Sequence, residues 1–209
     1  MTTHLGLQRI LLPSAQVSSL TTGSITLPSA RGAYEEGYFE SIARTTISTA
    51  TNEINFSNIP QTYRHLQIRG IVRYDNNGIS QLSTFQFNSD TGSNYSYHIL
   101  RGEGHSGGVS SSGAASQTAL IYPHATGNQA ASGTFGAFII DIFDYVNSNK
   151  YTTTRQFNGF VTNGGAEEQL HLSSGLWMNT AAITSIRFFC TGQNFDTHTT
   201  FALYGIKGI

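Results

Sequence analysis

The chain has 209 residues, long enough for one β-sandwich or barrel to bury most of the apolar surface that its unfolded form exposes. Only 11% of the residues are charged, against roughly 25% in ordinary soluble domains, and the formal net charge is −1. A nucleic-acid role, which needs a positive patch for phosphates, is therefore not expected. Membrane insertion is not expected either, because no run approaches the ~18 apolar residues of a spanning helix.

Residues Met1 to Phe39 read as an extended arm, which places an anchor over 1–40 and the main domain over 41–209. Two of the four prolines lie here, in Leu12-Pro13-Ser14-Ala15 and Leu27-Pro28-Ser29-Ala30, each after a short apolar run. Ile10, Leu11, Leu12, Val17, Leu20, Ile25 and Leu27 are too apolar for a purely solvated tail. The arm is expected to cross a neighbouring subunit or to anchor the protein. Met1 to Leu12 lacks a basic start followed by an apolar run, so no secretion signal is expected.

From Ser41 onward, short alternating runs separated by Gly, Asn, Ser and Thr predict an antiparallel all-β fold. His65 to Tyr74 puts Leu66, Ile68, Val72 and Tyr74 on one face with Gly70, and Asp75-Asn76-Asn77-Gly78 supplies turn chemistry. Leu82 to Phe87, with Phe85 and Phe87 on one side, and Tyr95 to Leu100 are strands joined by a turn over Asn88 to Asn94. The Gly- and Ser-rich stretch from Gly102 to Ser116 is expected to be a flexible loop. After a short strand over Thr118 to Tyr122 comes the most apolar run, Thr134 to Tyr145. Phe138, Ile140 and Ile142 there alternate with Phe135, Ala137, Ile139 and Phe143, and two greasy faces predict a central strand. Tyr151 to Phe160, Gln169 to Leu172, Ile183 to Cys190 and Phe201 to Ile206 complete an antiparallel β-sandwich of the jelly-roll kind. The single cysteine, Cys190, closes an apolar run, which points to a buried inert thiol and synthesis in a reducing cytoplasm. Thr91-Gly92-Ser93-Asn94-Tyr95-Ser96-Tyr97-His98 echoes Thr191-Gly192-Gln193-Asn194-Phe195-Asp196-Thr197-His198, which two similar hairpin turns would explain.

Possible chemistry is sparse. Gly104-His105-Ser106-Gly107-Gly108 fits the G-x-S-x-G pattern, with Asp141 or Asp144 and then His171 or His198 following in triad order. That motif needs a strand-to-helix turn, and Val109-Ser110-Ser111-Ser112-Gly113 forms helices poorly. The overlapping G-x-G-x-x-G of Gly102 to Gly107 lacks a helix for the same reason. No pair among His4, His65, His98, His105, His124, His171 and His198 has metal-ligand spacing, and no Asp-rich loop advertises calcium. Asp141 and Asp144, three apart, fall on opposite faces of a strand and make no natural acid–base pair. Asp144 instead suits a turn with Asn147. The ten tyrosines suit a sugar platform or, better, packing and subunit contact. No catalytic residue, cofactor or metal is therefore expected.

Three segments carry a likeness: Phe87-Asn88-Ser89-Asp90-Thr91-Gly92-Ser93-Asn94-Tyr95-Ser96, Ser174-Gly175-Leu176-Trp177-Met178-Asn179, and the closing Phe201-Ala202-Leu203-Tyr204-Gly205-Ile206-Lys207-Gly208. Together they resemble virion structural proteins of tailed phages, notably those of marine bacteria and cyanobacteria, over roughly Ser41 to Ile209. Ser89 stands where glycine would be expected in a turn. The resemblance implies a non-enzymatic virion component made in the host cytoplasm. A tail-associated fibre, tip or baseplate-periphery subunit is the first expectation, and a capsid decoration protein the second. Its partners would be other virion proteins and copies of itself, as a homotrimer, with a host-surface glycan as a further contact. A serine hydrolase using Ser106 and a free carbohydrate-binding module are the rivals from other classes.

Overall fold

A computed structural model describes residues 38–104, 107–164 and 167–208. The described residues contain twelve strands and no helix. They are β1 (Phe39–Thr46), β2 (Glu53–Phe56), β3 (His65–Val72), β4 (Ser80–Phe87), β5 (Tyr95–Glu103), β6 (Val109–Gln117), β7 (Leu120–Thr126), β8 (Gly136–Phe143), β9 (Thr152–Val161), β10 (Glu168–Trp177), β11 (Ile186–Phe189) and β12 (Thr200–Ile206). All pairings are antiparallel, in an eight-stranded sheet ordered β1-β12-β3-β8-β9-β10-β5-β6 and a four-stranded sheet ordered β2-β11-β4-β7. The fold is thus the antiparallel all-β sandwich that the alternation predicts. The arm, up to Gly37, lies outside the described residues, and β1 opens at Phe39, just before the expected boundary.

One half of the sandwich holds a conventional core. Leu66, Ile68 and Val72 of β3, Phe138, Ile140 and Ile142 of β8, and Phe201 and Leu203 of β12 are buried at 4% exposure or less. They meet Phe85 and Phe87 of β4 and Phe188 of β11, all fully buried. The rings interlock, with Phe188 5.2 Å from Phe85 and 4.9 Å from Phe201 between centroids, and Phe138 4.8 Å from Phe201.

The three segments quoted last above are tied to the fold by a turn and by side-chain contacts. Asn88 and Ser89 both adopt positive φ (52° and 56°), and Asp90 N–H donates to Phe87 C=O at 2.9 Å. This is the doubly left-handed turn that favours Asn-Gly, so Ser89 occupies a glycine position at some strain. Asp90 joins the first two segments, accepting from Trp177 Nε1 at 2.8 Å, Asn94 Nδ2 at 2.9 Å and Gly92 N–H at 2.8 Å. In the third, a Cβ at Gly205 would fall inside the ring of Tyr63. Tyr63 in turn donates to Glu40 at 2.8 Å, and Lys207 pairs with Glu40 at 3.2 Å.

Several expectations need correction. Gly102 to Ser116 is no loop over most of its length: Gly102 and Glu103 finish β5, and Val109 onward is β6. Nearly all of β6 is exposed on both faces, so it needs no apolar alternation, and its Ser/Gly composition hides it. β10 runs to Trp177, well beyond Leu172, because its inward side chains there are Ser173 and Gly175. β7 extends through Pro123, which its place at the edge of the smaller sheet permits. β8 is central, as its apolarity suggests, but its second greasy face is bare rather than packed, with Ile139 36% exposed. The two echoed segments are crossings, not hairpins. They carry the chain from β4 to β5 and from β11 to β12, between sheets, and bury Tyr95 and Phe195 at equivalent points.

Candidate functional site

The structure does not gather the sequence-level candidates. His4, His105 and Ser106 lie outside the described residues. Asp141 lies on the outer face of β8, accepting from Gln67 Nε2 at 2.6 Å and Arg155 at 2.9 Å. Asp144 sits past the end of β8, held by Lys150 and by Arg64 at 3.1 Å, and these cations keep its carboxyl below the usual range. It also opens the expected turn, its backbone carbonyl accepting from Asn147 N–H at 2.9 Å. His171 is buried on the inner face of β10, opposite to Asp141. His198 lies in the turn before β12, at the far end of β3 from Asp144, roughly 20 Å along the strand. Among the described residues no three His, Cys, Asp or Glu side chains come together as a metal would need. Cys190 is buried, which raises its thiol to about 12, with the Asp75 charge adding to the effect. Among the described tyrosines, Tyr74, Tyr95 and Tyr145 are fully buried core residues and present no ring to a sugar.

Two features emerge instead, and both come from one inversion. In β9 the inward residues are Thr152, Thr154, Gln156, Asn158 and Phe160, while Phe157 and Val161 point outward at 50% and 57% exposure. In β10 His171 and Ser173 are buried, while Leu170 and Leu172 point outward, about half exposed. Register is what decides this. A slip of one residue would swap the faces, yet the ladder from Ala137↔Gly159 through Leu170↔Gly159 to Leu170↔Gly102 holds the polar set inside.

The inner feature is a polar layer. His171 faces His124 of β7, their ring centroids 5.2 Å apart. Asn158 Nδ2 donates to His124 C=O at 2.8 Å. Burial lowers His124 to about 3, helped by His171 and Arg101, and lowers His171 to about 4, helped by Arg101. Both rings are therefore neutral near pH 7. Gln156 and Thr154, also buried, place side-chain polar atoms in this layer without a hydrogen-bond partner among the described residues.

The outer feature is an apolar face. Two adjacent cross-strand rows run across the large sheet. One carries Ile139, Phe157, Leu172 and Leu100 on β8, β9, β10 and β5. The next carries Ile71, Ala137, Gly159, Leu170, Gly102 and Val109 on β3, β8, β9, β10, β5 and β6. The first row is a ridge. In the second, Ala137, Gly159 and Gly102 lower the surface into an open groove of about 700 Å³, walled by Val109, Val161, Leu170 and Phe135. Arg73, buried at 7% exposure, fixes one wall: its guanidinium donates to the carbonyls of Ala130, Ala131 and Thr134 at 2.9–3.2 Å. Glu168 stands at the groove's mouth beside Gly104. Strand alternation alone shows Phe157 and Leu172 as one face of β9 and β10. Only the ladder shows that this face points away from the core. No family model and no curated protein matches the chain.

Proposed function

We propose that this chain is a non-enzymatic structural subunit of a tailed-phage particle, built in the host cytoplasm and carried in the virion as a tail-associated component. The observation that carries the reading is the outward apolar face of β9 and β10 on a chain with only 11% charged residues. Such a molecule acts by packing against protein rather than by gathering reactive groups. The strand order adds support. β1-β12-β3-β8 in one sheet and β2-β11-β4-β7 in the other follow the double Greek key of a jelly roll, with β5–β6 and β9–β10 as insertions that widen the large sheet. Jelly rolls recur in viral coat components and in lectins. The partners in this reading are other virion proteins and further copies of the chain in a closed homotrimer, with a host-surface glycan as the distal contact.

The test is the chain's copy number in purified particles, by quantitative mass spectrometry against the major capsid subunit. A few to a few tens of copies per particle are expected. A ratio near one per capsid subunit would overturn the tail placement in favour of capsid decoration. Absence from particles would overturn the structural reading itself.

A further inference from the structure

The outer face of the large sheet is self-complementary, and we infer that its occupant is the same face of a second copy of this chain, the ridge of one copy seated in the groove of the other. The inference names a partner for the face on which the structural-subunit reading rests.

The first argument is area. Ile71, Ile139, Phe157, Leu170, Leu172 and Leu100, with Val109 and Val161, are between 36% and 75% exposed on one face. At roughly 200 Å² for a fully bared residue of this size, they present about 800 Å², the share each partner gives to a stable interface of ordinary size. A typical monomer bares a largest apolar patch of only about 300–600 Å².

The second argument is shape. Ridge and groove are neighbouring rows two residues apart along the strands, about 7 Å. The ridge residues Ile139, Phe157 and Leu100 are large where their groove neighbours two residues along the same strands, Ala137, Gly159 and Gly102, are small. Each copy therefore carries both the projection and the recess that accepts it, which is what a closed symmetric contact requires.

The burial pattern excludes a simpler account. Polar residues occupy the inner side of β9 and β10, so the outward leucines and phenylalanine are not the spill-over of an overfull core. Those strands keep their best packing residues for the outside.

The full chain is the material for the test. Sedimentation velocity at micromolar concentration is expected to show a dimer of the wild type, and a trimer would overturn the inference, because a face that pairs with itself closes at two copies. Phe157→Glu and Leu172→Glu are expected to give monomers with unchanged circular dichroism. Gly102→Trp gives a second route to the same result. No atom lies within 4 Å of a Cβ placed there, so the fold accommodates the side chain while the groove is filled. Mixing Leu172→Cys with Gly102→Cys, each on a Cys190→Ser background, is expected to yield a disulfide-linked pair of the two variants. A monomeric wild type would overturn the inference, and so would an oligomer that survives both the ridge and the groove substitutions. Neither result depends on whether the chain is found in particles, so the two readings fail separately.

Discussion

The two halves of the large sheet obey opposite rules. Across β12, β3 and β8 the inward positions are Phe201, Leu203, Leu66, Ile68, Phe138 and Ile140, and the sheet is held by them. Across β9 and β10 the inward positions are Thr154, Gln156, Asn158, His171 and Ser173, and the apolar residues face out. The hydrophobic effect has no preference for which side of a sheet is covered, only that apolar area leaves water. A sheet that is greasy inside at one end and outside at the other therefore divides its labour. One end is stabilised by the chain's own second sheet, and the other leaves its apolar side outward, where the second copy inferred above would seat.

That contrast can be tested. The largest effect is expected in the apolar half. Phe188→Ala removes a fully buried ring packed on Phe85 and Phe201 and should cost about 3–5 kcal/mol in denaturant unfolding. A loss below about 1 kcal/mol would mean that this half is not the main source of stability.

The polar half should respond to acid. A buried histidine held below its ordinary 6.5 stays neutral in the fold while the unfolded chain takes up the proton. The folded state is therefore fully favoured above about pH 6.5 and weakens as pH falls toward 4 for His171 and toward 3 for His124. By pH 5 the loss should be roughly 2 kcal/mol per histidine, and His171→Gln should flatten the unfolding curve between pH 6.5 and 4.5. An equally steep curve in the variant would place the acid sensitivity elsewhere.

A smaller effect of opposite sign separates the halves further. Gln156→Met replaces a buried amide without a hydrogen-bond partner among the described residues with an apolar chain of similar length, and should raise stability by about 1–2 kcal/mol. A loss would show that the inward polar row is held by bonds of its own.

How much of this was legible in the sequence follows from the same division. β3, β4, β8 and β12 could be read directly, because their apolar residues face the core at every second position and the turns between them carry Asn and Gly. In β9 and β10 the period was visible but its direction was not, since alternation marks two faces without saying which is inside. β6 was invisible because both its faces meet water. The site was partly legible: Gly102 to Ser116 stands out as a Gly- and Ser-rich segment, and some of its glycines matter. They matter as the low floor of a groove, however, and not as a nucleophile elbow. Residues that meet only through the ladder, such as Gly102, Gly159 and Ala137, leave no local trace.

The place of β12 also bears on how the chain is made. It lies between β1 and β3, with Ile206 opposite both Phe39 and His65, so the large sheet cannot be joined across that seam until the final strand has been synthesised. Folding must wait for contacts that span nearly the whole described chain, which slows it and leaves β1 and β3 as open edges on every growing polypeptide. A chain that stops after Trp177 would lack β11 and β12 and with them Phe188 and Phe201, leaving Phe85 and Phe138 without those ring partners, and chaperone capture of such fragments is the expected fate of incomplete chains.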